Sequence, residues 1–433
     1  MLTDRRTLLA AGGASLALGR AHAQPAAGGP IRIGLLHDLS GPFAGAGSVP
    51  LHAGAEIAIE LFNERGGVDG RMVQGVSADS QSRAEVAINE AERLIGQERV
   101  DVIVGVYSSA HAVPLAQRMQ AAGKILWINS AIATAVLKGK NFTTVFRPTV
   151  HSDQYGEGSI MFLAEHCERT TRIAPTAFKL GIIYEDGPYG VGVATALEEN
   201  ARRIGMPIAL KEGYSASAPD LSTLVTKLRR ERPDAILQVG YNPDITLFLR
   251  QAKAGGLRTR MVIGHGAGYS QIDRLTETFG AEINNFCNVD PAATQMLAPE
   301  RLSTQARELQ QILLQRYQAR PRSNDPPTHA SMGFNNTWIF LEHVLKPAVR
   351  AGGGSVDAMR QAALAVDIPV GGTIQGYGVK FHPPGHEMAG QNERSIAVVM
   401  QFENARSIVR WPTPIAGGPP VMPLPASSPF ALR

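Results

Sequence analysis

Two doubly wound α/β lobes, each built on a parallel sheet, are what this 433-residue chain predicts. Three observations carry the prediction. A strand, glycine-rich loop, helix and turn follow one another without a break over 31–70. Short apolar runs then alternate with helix-period stretches to about residue 285. The chain is also long enough, at 44% hydrophobic residues, to fill two ordinary domains.

In the opening unit Ile31, Ile33, Leu35 and Leu36 form an apolar run of buried-strand type. The loop 40–47 cannot continue a strand, and Ser48 with Pro50 marks a helix start. Leu51, Ala55, Ala58, Ile59 and Phe62 recur at helical spacing, so one face of that helix is apolar. Gly66 and Gly67 stop it. Helical spacing returns at Ala84, Ala87, Ile88, Ala91, Leu94 and Ile95. A strand is then expected over 100–106, a helix over 112–122 and a strand over 125–128. Further strands fall over 179–184, 209–212, 235–239 and 261–263. Apolar runs without alternation mark parallel strands buried on both faces, and their alternation with helices calls for right-handed crossovers. The blocks 31–149 and 150–285 each hold four or more such units. Hence two lobes.

The last third departs from this rhythm. Segments 302–317, 330–350 and 356–366 read as helices, while 395–402 and 407–411 read as an antiparallel hairpin turned at 403–406. The tail 412–433 carries seven prolines and is expected to be irregular and disordered.

Residues 1–23 begin with charge at Asp4-Arg5-Arg6, run through a short apolar stretch to Leu18 and close on Ala21-His22-Ala23. This is the pattern of a secretory leader, and its apolar run falls short of the about twenty residues that a membrane span needs. The paired arginines point to twin-arginine export, with an ordinary Sec leader as the alternative. Cleavage near Ala23 places the mature chain in the periplasm. The leader carries three arginines and one aspartate, so its removal lowers the formal charge from +4 to +2. That balance is too small and too evenly spread for a nucleic-acid or membrane surface. Cys167 and Cys287 are the two cysteines. An oxidising compartment would let them pair, and the preferred reading is two free, buried thiols. A monomer is expected.

Enzyme motifs do not assemble. Gly45-Ala46-Gly47 lacks the third glycine of a dinucleotide fingerprint, and Pro188 intrudes on the cluster Gly187, Gly190, Gly192. No P-loop and no G-x-S-x-G elbow is present. His382 and His386 have the i, i+4 spacing of metal ligands, but the prolines between them bar the helix that would align them. Asp38 and Asp79 lack partners at a definable spacing, and no nucleophile, base and oxyanion donor come together. No catalytic residue, metal or cofactor is expected.

In open parallel sheets ligands bind outside the carboxyl ends of the strands. Those ends here are 37–40, 107–111, 129–134, 185–189, 241–242 and 264–269. They are rich in hydroxyls, amides, aromatic rings and glycine and poor in lysine and arginine. The inventory suits a small ligand held by hydrogen bonds and flat apolar contacts.

The loop Ser40-Gly41-Pro42 after the first strand, with the helix end Asn63-x-x-Gly66-Gly67-x-x-Gly70, resembles the start of the leucine/isoleucine/valine-type periplasmic binding proteins. The resemblance extends over 31–411. It implies a type I binding-protein fold with a three-segment hinge near Thr149, Asn288 and Gly372. Lobe 1 would then be 31–149 with 288–372, and lobe 2 would be 150–287 with 373–411. It implies the solute-binding subunit of an ABC importer, with an inner-membrane permease as partner; a ligand sensor of the amide-binding type is the alternative.

The resemblance also assigns site residues. The run from Gly105 to Ala110 matches the loop whose serine takes the ligand carboxylate, which gives that role to Ser109 with Tyr107 beside it. Asn129, Ser130 and Ala131 match the next loop, where Ala131 would supply an amide. The family threonine position reads Ala133, with Thr134 one place late. Tyr189 and Tyr241 match the tyrosines that close from the second lobe. Finally, His265-Gly266 puts glycine where binders of α-amino acids carry a glutamate for the ammonium. An unpaired buried ammonium is costly. The expectation is therefore that carboxylate recognition is kept and ammonium recognition is weakened or lost, unless Glu185 or Asp186 takes the role. Each residue has a plainer reading. Ser109 could cap a helix, the tyrosines could be core aromatics with satisfied hydroxyls, and a neutral structural role is preferred for His265.

Overall fold

The computed structural model describes residues 29–321 and 325–432, so the leader expected over 1–23 lies outside the described residues. The first lobe holds five parallel strands, β1 (Ile31–His37), β2 (Val73–Asp79), β3 (Val102–Gly105), β4 (Ile125–Ile128) and β5 (Val145–Phe146), in the order β2-β1-β3-β4-β5. Every residue of β3 and β4 is buried, as continuous apolar runs between two helix layers require. The helices α1 (Val49–Glu64), α2 (Ala84–Gly96) and α3 (Ser109–Ala121) follow the first three strands.

The second lobe holds seven strands in the order β12-β11-β10-β9-β8-β6-β7. They are β6 (Leu180–Glu185), β7 (Ile208–Tyr214), β8 (Ala235–Val239), β9 (Met261–His265), β10 (Cys287–Asp290), β11 (Val398–Glu403) and β12 (Arg406–Trp411). Pairing is parallel from β7 to β10 and antiparallel from β10 to β12. Helices α4 (Ser152–Thr171), α5 (Pro188–Ile204), α6 (Ser222–Glu231), α7 (Asn242–Ala254) and α8 (Ile272–Phe279) pack on it. The chain then returns to the first lobe through α9 (Thr304–Gln318) and α10 (Thr328–Ile339). In both sheets the strand order reverses beside the first strand, between β1 and β3 and between β6 and β8. Such a switch point opens a crevice at the carboxyl ends of the strands.

Two lobe boundaries differ from the expected ones. Cys287–Asp290 is not the start of the return to lobe 1 but a strand of the second sheet, paired with both β9 and β11. The chain leaves the second lobe after Asp290. Residues 373–392 were expected in lobe 2, yet Ile374, Tyr377, Val379 and Phe381 join the first lobe's core with Trp127 and Phe146. Bridges Ile368–Val379 and Arg147–Gln391 hold that segment in place. Its apolar side chains alternate with turns, which conceals the assignment in sequence. The proline-rich tail is irregular apart from a short turn at Thr413–Ile415 and a parallel bridge from Ala431 to Thr259. It is nevertheless packed: Met422, Leu424 and Phe430 are buried, and Phe430 meets the ring of Phe286 at 5.3 Å. Three apolar side chains, two of them between prolines, anchor a segment that composition alone assigns to disorder.

Cys167 in α4 and Cys287 in β10 are both free and buried. Burial raises both thiols, Cys287 to about 12, which suppresses the reactive thiolate. Native protein is therefore expected to resist iodoacetamide, and urea should release two reactive thiols. Rapid labelling of the native protein, or none after unfolding without reductant, would overturn this. Among the described residues no helix is long and apolar enough to cross a membrane.

Candidate ligand-binding site

The site starts at Gly105. Its φ is +139°, and a Cβ there would overlap the Leu36 carbonyl oxygen, so only glycine lets β3 turn this close to β1. The turn delivers Tyr107 and Ser109 to the cleft at the N-terminus of α3. The first amides of a helix have no partner within it and favour negative charge. Ser109 Oγ accepts a hydrogen bond from Ala133 N at 3.0 Å, which leaves its proton to be donated.

A cavity lies between the lobes. The space between its walls is about 330 Å³, part of it continuous with solvent. Lobe 1 lines it with Tyr107, Ser109, Ser130 and Ile132. Lobe 2 contributes Tyr155, Tyr189, Tyr241, Ala267 and Asp290, and α10 adds His329 and Met332. Aromatic rings bridge the gap: Phe43, from the glycine-rich loop of lobe 1, lies 4.5 Å from Tyr241, and Tyr107 lies 6.3 Å from it. Tyr189 sits 5.5 Å from Tyr241 and donates its hydroxyl to the His265 carbonyl.

Of the residues singled out in sequence, Tyr107, Ser109, Ser130, Tyr189 and Tyr241 meet at this cavity, Gly266 borders it beside Tyr155 and Tyr189, and the rest are elsewhere. The amide of Ala131 is already spent on Val106 O at 3.0 Å. Asn129 is buried and turned towards α10, with Nδ2 donating to Thr337 Oγ1 at 3.0 Å. Thr134 donates to Asp153 at 2.8 Å, outside the cavity. His265 does not face the cleft. Its ring contacts Ser159 Oγ at 2.8 Å and Gln238 O at 3.0 Å, and burial pushes its pKa down to about 4, so it is a neutral structural histidine. Glu185 accepts from the Gly187 and Gly190 amides at 2.7 and 2.5 Å and caps α5, while Asp186 is exposed. Neither reaches the cavity. Tyr269 is a core aromatic whose hydroxyl donates to Gln238 at 2.7 Å.

Gly266 is at the cleft with φ +50°. A Cβ there would stand 3.0 Å from the Tyr155 ring and 3.4 Å from the Tyr189 hydroxyl. Tyrosines occupy the space a glutamate would need. One acid was missed: Asp290, at the carboxyl end of β10, is buried and lines the cavity. It accepts hydrogen bonds from the hydroxyls of Tyr155 and Ser270, and burial pushes it up to about 7. The strand-end rule would have found it had Cys-Asn-Val-Asp read as a strand. His329 is held neutral by burial, its pKa down to about 4. Among the described residues no cluster of potential metal ligands occurs.

The family model described as periplasmic binding protein matches residues 30–399. The chain belongs to the periplasmic binding protein family. Among its relatives, the Leu/Ile/Val-binding protein homolog 8 of Brucella suis biovar 1 is 31% identical over 391 residues, covering 88% of this chain and 90% of the relative. A leucine-binding protein of Thermotoga maritima superposes with a TM-score of 0.73 at 18% identity, over 88% of this chain and 97% of that one. A solute-binding protein of R. palustris in complex with benzoate superposes at 0.68 and 16% identity, over 88% and 95%. These structures share the two-lobed type I fold. The binding-protein family is thereby shown to include this chain, and its relatives include both a leucine binder and a benzoate complex.

Proposed function

We propose that this chain is the periplasmic solute-binding subunit of a branched-chain amino acid-type ABC importer, taking a small carboxylate-bearing ligand between its lobes. The observation that carries the reading is Ser109 at the N-terminus of α3, facing a cavity roofed by tyrosines of the other lobe. The ligand carboxylate docks on lobe 1, against the Ser109 hydroxyl, Ser130 and the first amides of α3. Lobe 2 then swings in with Tyr189 and Tyr241, whose contacts exist only in the closed form and so drive closure. The closed form is what an inner-membrane permease would recognise. Binding, with no chemical step, is all this arrangement requires. Export by the leader at 1–23 belongs to the same reading.

The test is calorimetry on refolded, ligand-stripped protein against aliphatic and aromatic carboxylates and amides. Ser109→Ala should weaken carboxylate binding by about tenfold to a hundredfold, the range for one hydrogen bond to a charged group. Tyr241→Ala should weaken it by about tenfold or more, because it removes the buried ring on which Phe43 closes. Unchanged affinity in both variants would remove this cavity from consideration.

A further inference from the structure

The ligand cavity has a negative pole that its sequence conceals. Val289 pairs with His265 in the parallel ladder of β10 and β9, and Gly266 N donates to Val289 O at 2.8 Å. Continuing that register sets Asp290 level with Gly266, on the neighbouring strand. The carboxyl absent from the end of β9 is therefore present at the end of β10, at the same height over the cleft. Tyr155 and Ser270 hydroxyls occupy two of the about four acceptor positions of a carboxylate. No cationic side chain among the described residues ion-pairs with it. A carboxyl buried without a cation is unfavourable unless it is neutral or a partner arrives. The bridge between Tyr155 and Ser270 alone would be served as well by asparagine.

We propose that Asp290 is the second pole of the site, and that the ligand is a carboxylate that also bears an ammonium group, spanning the cavity from Ser109 to Asp290. The inference rests on the proposed function and narrows its ligand class to small amino acids. Sequence alone argued the opposite from Gly266. The groups that face Asp290 from the surrounding elements are Tyr155 of α4, Tyr189 of α5, Tyr107 after β3, His329 of α10 and Tyr377 of the segment that follows Gly372. The tyrosines are raised and His329 is lowered, so none of them titrates between pH 5 and 8. Asp290 does, at about 7. A cation needs the ionised carboxylate, so its affinity should be level above pH 7 and fall about tenfold per unit below it.

The experiment is calorimetry at pH 7.5 with pairs that differ only in the ammonium: alanine and propionate, leucine and 4-methylpentanoate, phenylalanine and 3-phenylpropionate. At least one amino member is expected to bind about tenfold or more tighter than its partner. Asp290→Asn should erase that gap, and Ser109→Ala should weaken both members of the pair. The pH profile of the unaltered protein gives the same answer should the asparagine variant fold poorly. Equal affinities within every pair, or a gap that persists in Asp290→Asn, overturns the inference. In that case a loss in Ser109→Ala leaves the proposed function standing. Silence from all six compounds in the unaltered protein overturns both.

Discussion

Replacing Gly333 with valine is expected to lower the melting midpoint by roughly 6 °C or more, at about 2 °C per kcal/mol for a lobe of this size. The reason is the contact between α1 and α10. A Cβ on Gly333 would overlap the Leu51 carbonyl oxygen, and one on Gly54 would overlap the Ala330 carbonyl and stand 2.7 Å from Phe334 N. The atoms in the way are backbone, which cannot rotate aside, so the helices must part. Every residue of α10 is buried, so there is no solvent side towards which it can move. Overpacking of this kind costs about 1–3 kcal/mol, and more where the neighbour is rigid. Displacement would also break Trp127 Nε1 to Asn336 O and Asn336 Nδ2 to Asn129 O, both 2.8 Å, which tie α10 to the end of β4. His329 and Met332, on the same helix, would leave the cavity wall. Circular-dichroism melting checks the expectation, with Gly96→Ala as control because nothing lies within 4 Å of its Cβ position. A Gly333→Val midpoint within about 1 °C of the parent would show that the two helices have slack.

How much of this was legible depends on what each segment buries. Strands β3, β4, β8 and β9 stand out as apolar runs because both of their faces are covered. β2 is an edge strand whose Gln74, Gly75 and Ser77 are at least partly exposed, so its pattern falls between strand and loop. β10 is buried throughout but reads Cys-Asn-Val-Asp. Its polar residues sit where a strand turns towards the cleft, and such violations of the local rule concentrate at functional sites. Losing β10 displaced the second crossing and hid Asp290 with it. On the binding loops, spacing located the right segments but not the direction of each side chain. Ser130 faces the cavity while Asn129 faces α10, one residue away. Ala131 is spent on the backbone, and Thr134 reaches lobe 2 instead. Direction along an irregular loop depends on its φ and ψ, which the residue order does not display.

The second large effect is expected from Arg147→Met, which should remove about 3 kcal/mol or more of stability and collapse carboxylate affinity. Arg147 is fully buried just before the first hinge crossing. Its Nη1 donates to Ala131 O at 3.0 Å and Ala133 O at 2.8 Å, and its Nε donates to Gln391 Oε1 at 2.6 Å. Gln391 in turn donates to Thr149 O at 2.7 Å, beside that crossing. One guanidinium therefore clamps the loop that carries Ser130 and Ile132 to the base of the hinge. Burial costs the cation enough to push its pKa down to about 9, so Arg147 is retained in spite of a desolvation penalty. Whole buried ion pairs can often be replaced by apolar residues without loss. Here two of the three acceptors are backbone carbonyls, which no substitution removes, and each acceptor left bare costs about 1–3 kcal/mol. Arg147→Lys should recover only part of the loss, since an ammonium cannot reproduce the planar fork across three acceptors. The positive charge behind the loop also favours an anion in front of it, so affinity should fall further than stability. Melting and calorimetry on both variants separate the two effects. A methionine variant that melts and binds like the parent would mean that Ser152, which donates to Ile132 O at 2.9 Å through its amide, holds the loop unaided.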